Sequence, residues 1–209
     1  MSSSLDKILA NPRVWRGRDQ AGCRAGLASG YPELDRYLPG GGWPPDALTE
    51  ILTAQYGIGE LRLLMPALAR LSNALPEQDE PGWIAWVAPP FQPYPPALRQ
   101  YGIDLSRMLI VRPGEASETL WSAEQALSSG TCAAVLLWPE MLDDQASRRL
   151  QLAAEQGQSW GIAFRPLAAR RQPSAAALRL ELEPAGQGTR VHILKSRGGR
   201  PACGGVTNC

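Results

Sequence analysis

From residue 48 onward the chain alternates between short, nearly continuous apolar runs and longer stretches with helical spacing. The apolar runs fall at 48–53, 83–88, 108–112, 133–138 and 161–165, each of five or six residues. That length suits a strand, and the lack of apolar–polar alternation suits a strand covered on both faces. Between them, 60–75, 95–101, 117–128 and 141–156 read as helices. In the first of these Leu61, Leu64, Met65, Leu68 and Leu71 form one apolar stripe, while Pro66 inside it either kinks the helix or delays its start. Strands separated by helices predict an α/β fold, a mostly parallel sheet with helices on both faces.

The pattern changes at the C-terminus. Residues 177–183 and 189–195 alternate strictly between apolar and polar side chains, with a Pro- and Gly-containing turn between them. This predicts an antiparallel hairpin at the sheet edge. Residues 197–209 are rich in Gly and poor in apolar side chains, the composition of a flexible basic tail. Residues 1–28 read as a loosely structured arm, with a short helix at 4–9 and breaks at Pro12, Gly17, Gly22 and Gly26. Trp15, set among Arg13, Arg16 and Arg18, either docks this arm on the core or stacks on a base or a partner. Residues 29–196 are left as the main domain.

At 209 residues the chain has room for one buried sheet and its flanking helices. It holds no apolar run of about 18 residues, so no membrane span is expected. The first residues lack a basic segment followed by an apolar core, and a cytoplasmic location is the expectation. Cys23, Cys132, Cys203 and Cys209 have no C-x-x-C spacing and His192 is the single histidine. Free thiols, with Cys132 in a core strand, fit better than a metal site or a disulfide framework.

The net charge of +1 conceals an asymmetry. Residues 160–209 carry Arg165, Arg170, Arg171, Arg179, Arg190, Lys195, Arg197 and Arg200 against only Glu181 and Glu183. This basic quarter fits an acidic partner, nucleic acid or protein; solvated surface charge is the alternative. There are only two lysines, Lys7 and Lys195, and neither follows a glycine at a strand–helix junction.

That absence matters at residues 54–61, which lie where a phosphate-binding loop belongs, between an apolar strand and a helix. A working loop of the G-x-x-x-x-G-K-[ST] type cradles phosphate with backbone N–H groups, neutralises it with Lys and holds Mg²⁺ through a hydroxyl. Here Ala54, Gly59, Glu60 and Leu61 occupy those four places. A carboxylate replaces the ammonium and an isobutyl group the hydroxyl, so the loop is expected to repel a triphosphate. Glu60 is expected at the positive end of the following helix, stabilising the turn. The other parts of such a site fail as well. An acidic residue at the end of a second buried strand holds the Mg²⁺ shell, but the 133–138 strand ends in Trp138, then Pro139 and Glu140. The 83–88 strand runs into Pro89, Pro90 and Phe91, with no carboxylate to orient water. No cofactor, no metal and no ATP hydrolysis are expected.

The order Ser29-Gly30-Tyr31-Pro32-Glu33-Leu34-Asp35, then Pro39-Gly40-Gly41-Gly42-Trp43-Pro44, then Glu50-Ile51 resembles the segment before the phosphate loop of RecA-type recombinases. Tyr101-Gly102-Ile103-Asp104 ahead of Leu109, and Val191 to Arg197, are similar to later RecA segments, so the likeness spans roughly 28–200. Within that superfamily Val14-Trp15-Arg16-Gly17, Leu38 to Pro44 and Ile58 to Leu64 resemble the ImuA family, SulA-like relatives of RecA from bacterial DNA-damage mutagenesis operons. The resemblance implies a degenerate RecA-like domain. It implies a non-catalytic role in SOS-induced error-prone translesion synthesis, with ImuB, an error-prone C-family DNA polymerase and RecA as partners. A SulA-type inhibitor of the tubulin-like division protein is the alternative.

Carried over residue by residue, Glu60, Leu61, Trp138 and Pro90 stand where RecA has its lysine, its hydroxyl, its Mg²⁺-shell Asp and its water-positioning Glu. Lys195 and Arg197 match a basic pair that in the recombinases reaches a neighbouring subunit's nucleotide. Trp15, Arg16, Trp43, Arg190, Lys195, Arg197 and Arg200 are the candidate DNA or partner contacts. Among the tryptophans, Trp83, Trp86 and Trp138 are expected in the core and Trp43 at the surface. DNA binding is expected to be weak, and self-association is left open.

Overall fold

The computed structural model describes residues 25–73, 82–186 and 188–197, and the backbone of 203–207. The helix expected at 4–9, Trp15, Arg16 and Arg200 lie outside the described residues.

Eight strands form one mixed sheet: β1 Leu48–Thr53, β2 Trp83–Val87, β3 Met108–Val111, β4 Cys132–Leu137, β5 Trp160–Pro166, β6 Leu178–Ala185, β7 Gly188–Ser196 and β8 Cys203–Thr207. Their order across the sheet is β3-β2-β4-β5-β1-β6-β7-β8. All pairs from β3 to β6 are parallel; β6–β7 and β7–β8 are antiparallel. The helices are α1 Pro32–Asp35, α2 Met65–Ser72, α3 Pro95–Gln100, α4 Ala116–Ser128 and α5 Asp144–Gly157.

The central strands are apolar throughout because each contributes to two cores. Ile84 and Trp86 of β2, Ala134 and Leu136 of β4, and Ile162 and Phe164 of β5 pack on the side of α2 and α3. Their sequence neighbours Ala85, Val87, Val135, Leu137 and Ala163 pack on the side of α4 and α5. Successive side chains of a strand point to opposite faces, so covering both faces removes the alternation that a one-sided sheet would show.

Helix starts follow their caps. Asp143 accepts from the Ala146 N–H at 2.7 Å at the head of α5, and Glu115 with Glu118 makes a reciprocal capping box at the head of α4. Helix α2 starts at Met65, five residues later than Glu60, because Pro66 occupies its first turn, where a missing N–H costs nothing.

The C-terminal antiparallel hairpin is present as expected, and a further strand follows it. The hairpin lies toward the expected edge, but β6 pairs with β1 on one side and β8 covers the far side of β7. The segment read as a flexible tail thus contributes a strand over Cys203–Thr207, since the outer edge of β7 presents unpaired N–H and C=O groups that an extended chain satisfies. The glycine cluster also has a local reason. Gly40 and Gly41 adopt φ of 69° and 77°, and a Cβ on Gly42 would stand 2.3 Å from the carbonyl oxygen of Leu27. This close approach lets Leu27 and Trp43 exchange backbone hydrogen bonds of 2.8 and 2.7 Å, which buries Trp43.

Candidate functional site

The loop after β1 leaves the C-terminal end of the parallel strands, the end at which open α/β sheets bind ligands. Thr53 Oγ1 donates to the carbonyl of Gln55 at 2.6 Å, and Gly57 and Gly59 supply φ of 86° and 103°. Glu60 then folds back. Its carboxylate accepts from the N–H of Gly57 at 3.1 and 3.0 Å and from the N–H of Ile58 at 3.0 Å. Thr189 of β7 donates its hydroxyl to the carbonyl of Ile58 at 2.5 Å, tying the loop to the sheet.

Glu60 therefore does not sit at a helix N-terminus as expected. It is buried at 6% exposure inside its own loop, holding amides of the kind that cradle phosphate in a working loop. Leu61 is half-buried against the core beside α2, and Ala54 is exposed. Burial, with the Glu60 carboxylate close by, pushes the Tyr56 hydroxyl pKa up.

Trp138 follows β4 directly, and its N–H donates to the carbonyl of Val87 at 3.2 Å. Its ring stacks on Phe164 at a centroid distance of 4.6 Å and tilts against Trp86 at 5.4 Å. An aromatic triplet stands at the end of β4, where a working nucleotide site carries its metal-shell carboxylate. Beside it β2 is followed by Ala88, whose φ of 53° is rare for a residue with a side chain. The chain then runs through Pro89 and the exposed Pro90 to Phe91. Together with Tyr56, Arg62, Tyr94 and Tyr101 these elements line an apolar cleft of about 260 Å³. Its aromatic rim was not foreseen; the signal was the run of Pro and aromatic residues at 89–96.

Most described basic side chains of the C-terminal quarter have partners within the protein, although only Arg165 and Arg179 are buried. Arg165 and Arg179 are buried around Glu50, which accepts from Arg165 Nη1 at 3.2 Å and from Arg179 Nε at 2.9 Å. Arg170 pairs with Glu181 at 3.0 Å and Arg197 with Glu155 at 2.7 Å. Lys195 donates to the carbonyl of Ser174 at 2.8 Å. Burial, then repulsion by Arg197 and Arg179, pulls the Lys195 ammonium pKa down. Lys195 and Arg197 share a cleft of about 450 Å³ with Asp144, Arg148 and Glu155, so two carboxylates accompany the basic pair. Arg171 and Arg190 are exposed.

Two tryptophans exchange their expected places. Trp43 is fully buried and stacks on Trp160 at 5.3 Å, so it offers no surface contact. Trp83 is 39% exposed at the first position of β2, with the Arg107 guanidinium 5.8 Å from its ring centroid. Among the described residues no group of three His, Cys, Asp or Glu side chains is placed to hold a metal ion, and no helix is long and apolar enough to cross a membrane.

The amino-acid sequence matches known proteins of one family. Residues 48–161 match the model of the family described as cell division inhibitor SulA. The chain is 31% identical to protein ImuA of Caulobacter vibrioides over 198 residues, covering 84% of the chain and 80% of the relative. It is 35% identical over 121 residues to the cell division inhibitor SulA of Edwardsiella piscicida, covering 56% of the chain and 69% of the relative. The crystal structure of SulA from Pseudomonas aeruginosa matches 56% of the chain and 97% of its own length, at 28% identity and a TM-score of 0.45. With the ImuA match running over most of both chains, and the SulA family model over 48–161, this chain belongs to the ImuA/SulA family.

Proposed function

We propose that this chain is a non-catalytic accessory protein of SOS-induced error-prone translesion DNA synthesis in the cytoplasm. In this reading it acts as an adaptor or regulator with ImuB, an error-prone C-family DNA polymerase and RecA. The observation that carries the non-catalytic part is the Glu60 carboxylate on the Gly57 and Ile58 amides. A carboxylate tethered two or three residues away meets those donors at an effective concentration that a free nucleotide does not match. The likeness to ImuA over 84% of the chain supports the place in mutagenesis.

Two measurements test the reading. ATP turnover is assayed with and without single-stranded DNA; robust hydrolysis that a Glu60 substitution abolishes overturns the non-catalytic part. Deleting the gene in its own host is expected to lower damage-induced mutation, with the full chain restoring it; unchanged mutation overturns the translesion part.

The SulA family match over 48–161 favours a second reading, inhibition of cell division by capping the tubulin-like division protein. Overexpression that filaments cells, together with direct binding to that protein, would select it over the first.

A further inference from the structure

The cleft beside Trp138 has a buried floor and an exposed aromatic rim. Met65, Trp86 and Leu98 are nearly inaccessible, whereas Tyr56, Tyr101, Tyr94 and Phe91 are 40%, 43%, 68% and 71% exposed. Contiguous exposed apolar surface of this kind marks interaction sites. The rim is also preformed. Pro89, Pro90 and Pro93 fix φ at three positions and remove three backbone donors, so residues 89–93 join neither the sheet nor a helix, and Tyr94 is held as the N-cap of α3. Binding to such a rim loses little conformational entropy.

Charge selects the occupant. Arg62 is exposed in the cleft wall, and Arg112 donates to Gln92 of the same wall. Neither guanidinium engages a carboxylate at salt-bridge distance among the described residues. The one carboxylate lining the cleft, Glu60, is buried and held by the Gly57 and Ile58 amides. The open face of the cleft is therefore positive and complementary to an anion-bearing partner. A small molecule in the cleft would cover the floor and leave Phe91 and Tyr94 in water. A polypeptide covers both.

We propose that this cleft docks an extended segment of another protein, one that sets a bulky apolar side chain beside one or more carboxylates. The inference rests on the accessory-protein reading and names the chemistry of its partner. The apolar side chain fills the floor against Trp86 and Trp138, Phe91 and Tyr94 close over its flanks, and a neighbouring carboxylate meets Arg62.

The test is selection of random short peptides displayed on phage against the intact protein. Enriched peptides are then made with a fluorescein label and titrated by anisotropy against wild type, Phe91→Ala, Tyr94→Ala and Arg62→Glu. All three positions are exposed, and circular dichroism checks that each variant keeps its fold. The expected peptides pair Leu, Ile, Phe or Trp with Asp or Glu. Phe91→Ala and Tyr94→Ala each weaken binding by about tenfold, and Arg62→Glu by a similar factor that shrinks as salt rises. Absence of enrichment, a basic consensus, or binding indifferent to all three substitutions overturns the proposal. So does anilinonaphthalene sulfonate fluorescence that depends on Phe91 while no peptide is selected, which would mark a small-molecule cleft. Mutagenesis proteins that co-purify equally with all three variants leave the accessory reading standing and overturn the cleft alone. Peptide binding as described, without effect of gene deletion on mutation, does the reverse.

Discussion

Both carboxylate oxygens of Glu60 face the backbone N–H of Gly57, at 3.1 and 3.0 Å, three residues back in the same loop. The loop carries its own anion. A phosphate would have to displace a group that is covalently attached, already desolvated and shared with the N–H of Ile58. Even with that carboxylate removed, the ammonium, the hydroxyl and the metal-shell acid of a working site would still be missing at Glu60, Leu61 and Trp138.

Glu60→Ala is expected to destabilise the fold by about 1–3 kcal/mol, because the Gly57 and Ile58 donors lose a partly buried acceptor. Glu60→Gln keeps one acceptor oxygen and should recover part of that loss. Urea midpoints compare the three proteins, and equal midpoints would mean that water replaces the carboxylate without penalty. Glu60→Lys is expected to give no ATP turnover.

The pair of arginines around Glu50 is expected to be far more sensitive than the surface pairs. Glu50 is fully buried and also accepts from the Ser174 hydroxyl at 2.6 Å. Glu50→Gln leaves Arg165 and Arg179 buried without a counter-charge, at a cost of about 3–5 kcal/mol. That is a large share of the roughly 5–15 kcal/mol that holds a domain together. Arg197→Ala breaks a solvent-exposed pair with Glu155 and should cost under about 1 kcal/mol. Similar urea midpoints for the two variants would show that water reaches the Glu50 cluster.

The sheet was legible because burial on both faces leaves an unbroken apolar run; β1 matches its expected span, and the next four strands shift by no more than a residue or so at each end. What was not legible depends on pairing across the chain. Arg165 and Arg179 look like surface charge until Glu50, 115 and 129 residues away, is placed between them. Trp43 lies outside any periodic segment and is buried only because Gly42 admits the Leu27 backbone. Trp83 opens an apolar run but stands at its outer end, where the strand is uncovered. The departure of 54–61 and 138 from the residue types of a working nucleotide site could be read directly. The use Glu60 makes of the vacant amides, and the cleft assembled from loops after β1, β2 and β4, could not.

Trp138→Asp would restore the residue type of a metal-shell acid and is expected to fail on physical grounds. The carboxylate would stand against the ring faces of Phe164 and Trp86, with the unpartnered indole N–H of Trp86 as the one buried donor those rings offer. Loss of the aromatic side chain alone costs about 3–5 kcal/mol, and the buried charge adds to it. The variant should lose most of its thermal stability and gain no Mg²⁺-dependent nucleotide binding by calorimetry. Mg²⁺-dependent binding in a folded Trp138→Asp protein would show that the site is nearer to a working one than its packing indicates.

DNA binding is expected to be weak and strongly salt-dependent. With Arg165 and Arg179 buried and Arg170 and Arg197 paired, Arg171 and Arg190 are the exposed arginines left in the described part of the basic quarter. Few phosphate contacts mean low affinity, and each contact should contribute a slope of about −0.7 in log K against log salt for a single strand. Anisotropy titrations at several salt concentrations measure the slope. Tight binding that ignores salt would require base stacking on an exposed ring, and Trp121 and Trp83 are then the tryptophans to replace.

Lys195 offers a pH test with a definite sign. Burial is the largest cause of its lowered pKa, followed by Arg197 and Arg179. A lysine whose folded pKa is depressed below its ordinary value of 10.5 opposes folding while it is charged. The unfolded chain holds that proton more tightly between the two values, so stability rises with pH through this window. Below the folded value the penalty is constant and fully present. Lys195→Met removes the charge, keeps the stem that packs beside Ser174, and should stabilise the protein at neutral pH unless the lost hydrogen bond outweighs it. Reductive methylation with a ¹³C label gives a direct reading, because Lys7 and Lys195 are the only lysines. The Lys195 methyl resonance should titrate below the ordinary lysine range and move upward in Arg197→Ala, which removes the stronger of the two repulsions. A Lys195 signal at or above the ordinary value would mean that the cleft it shares with Asp144 and Glu155 is fully hydrated.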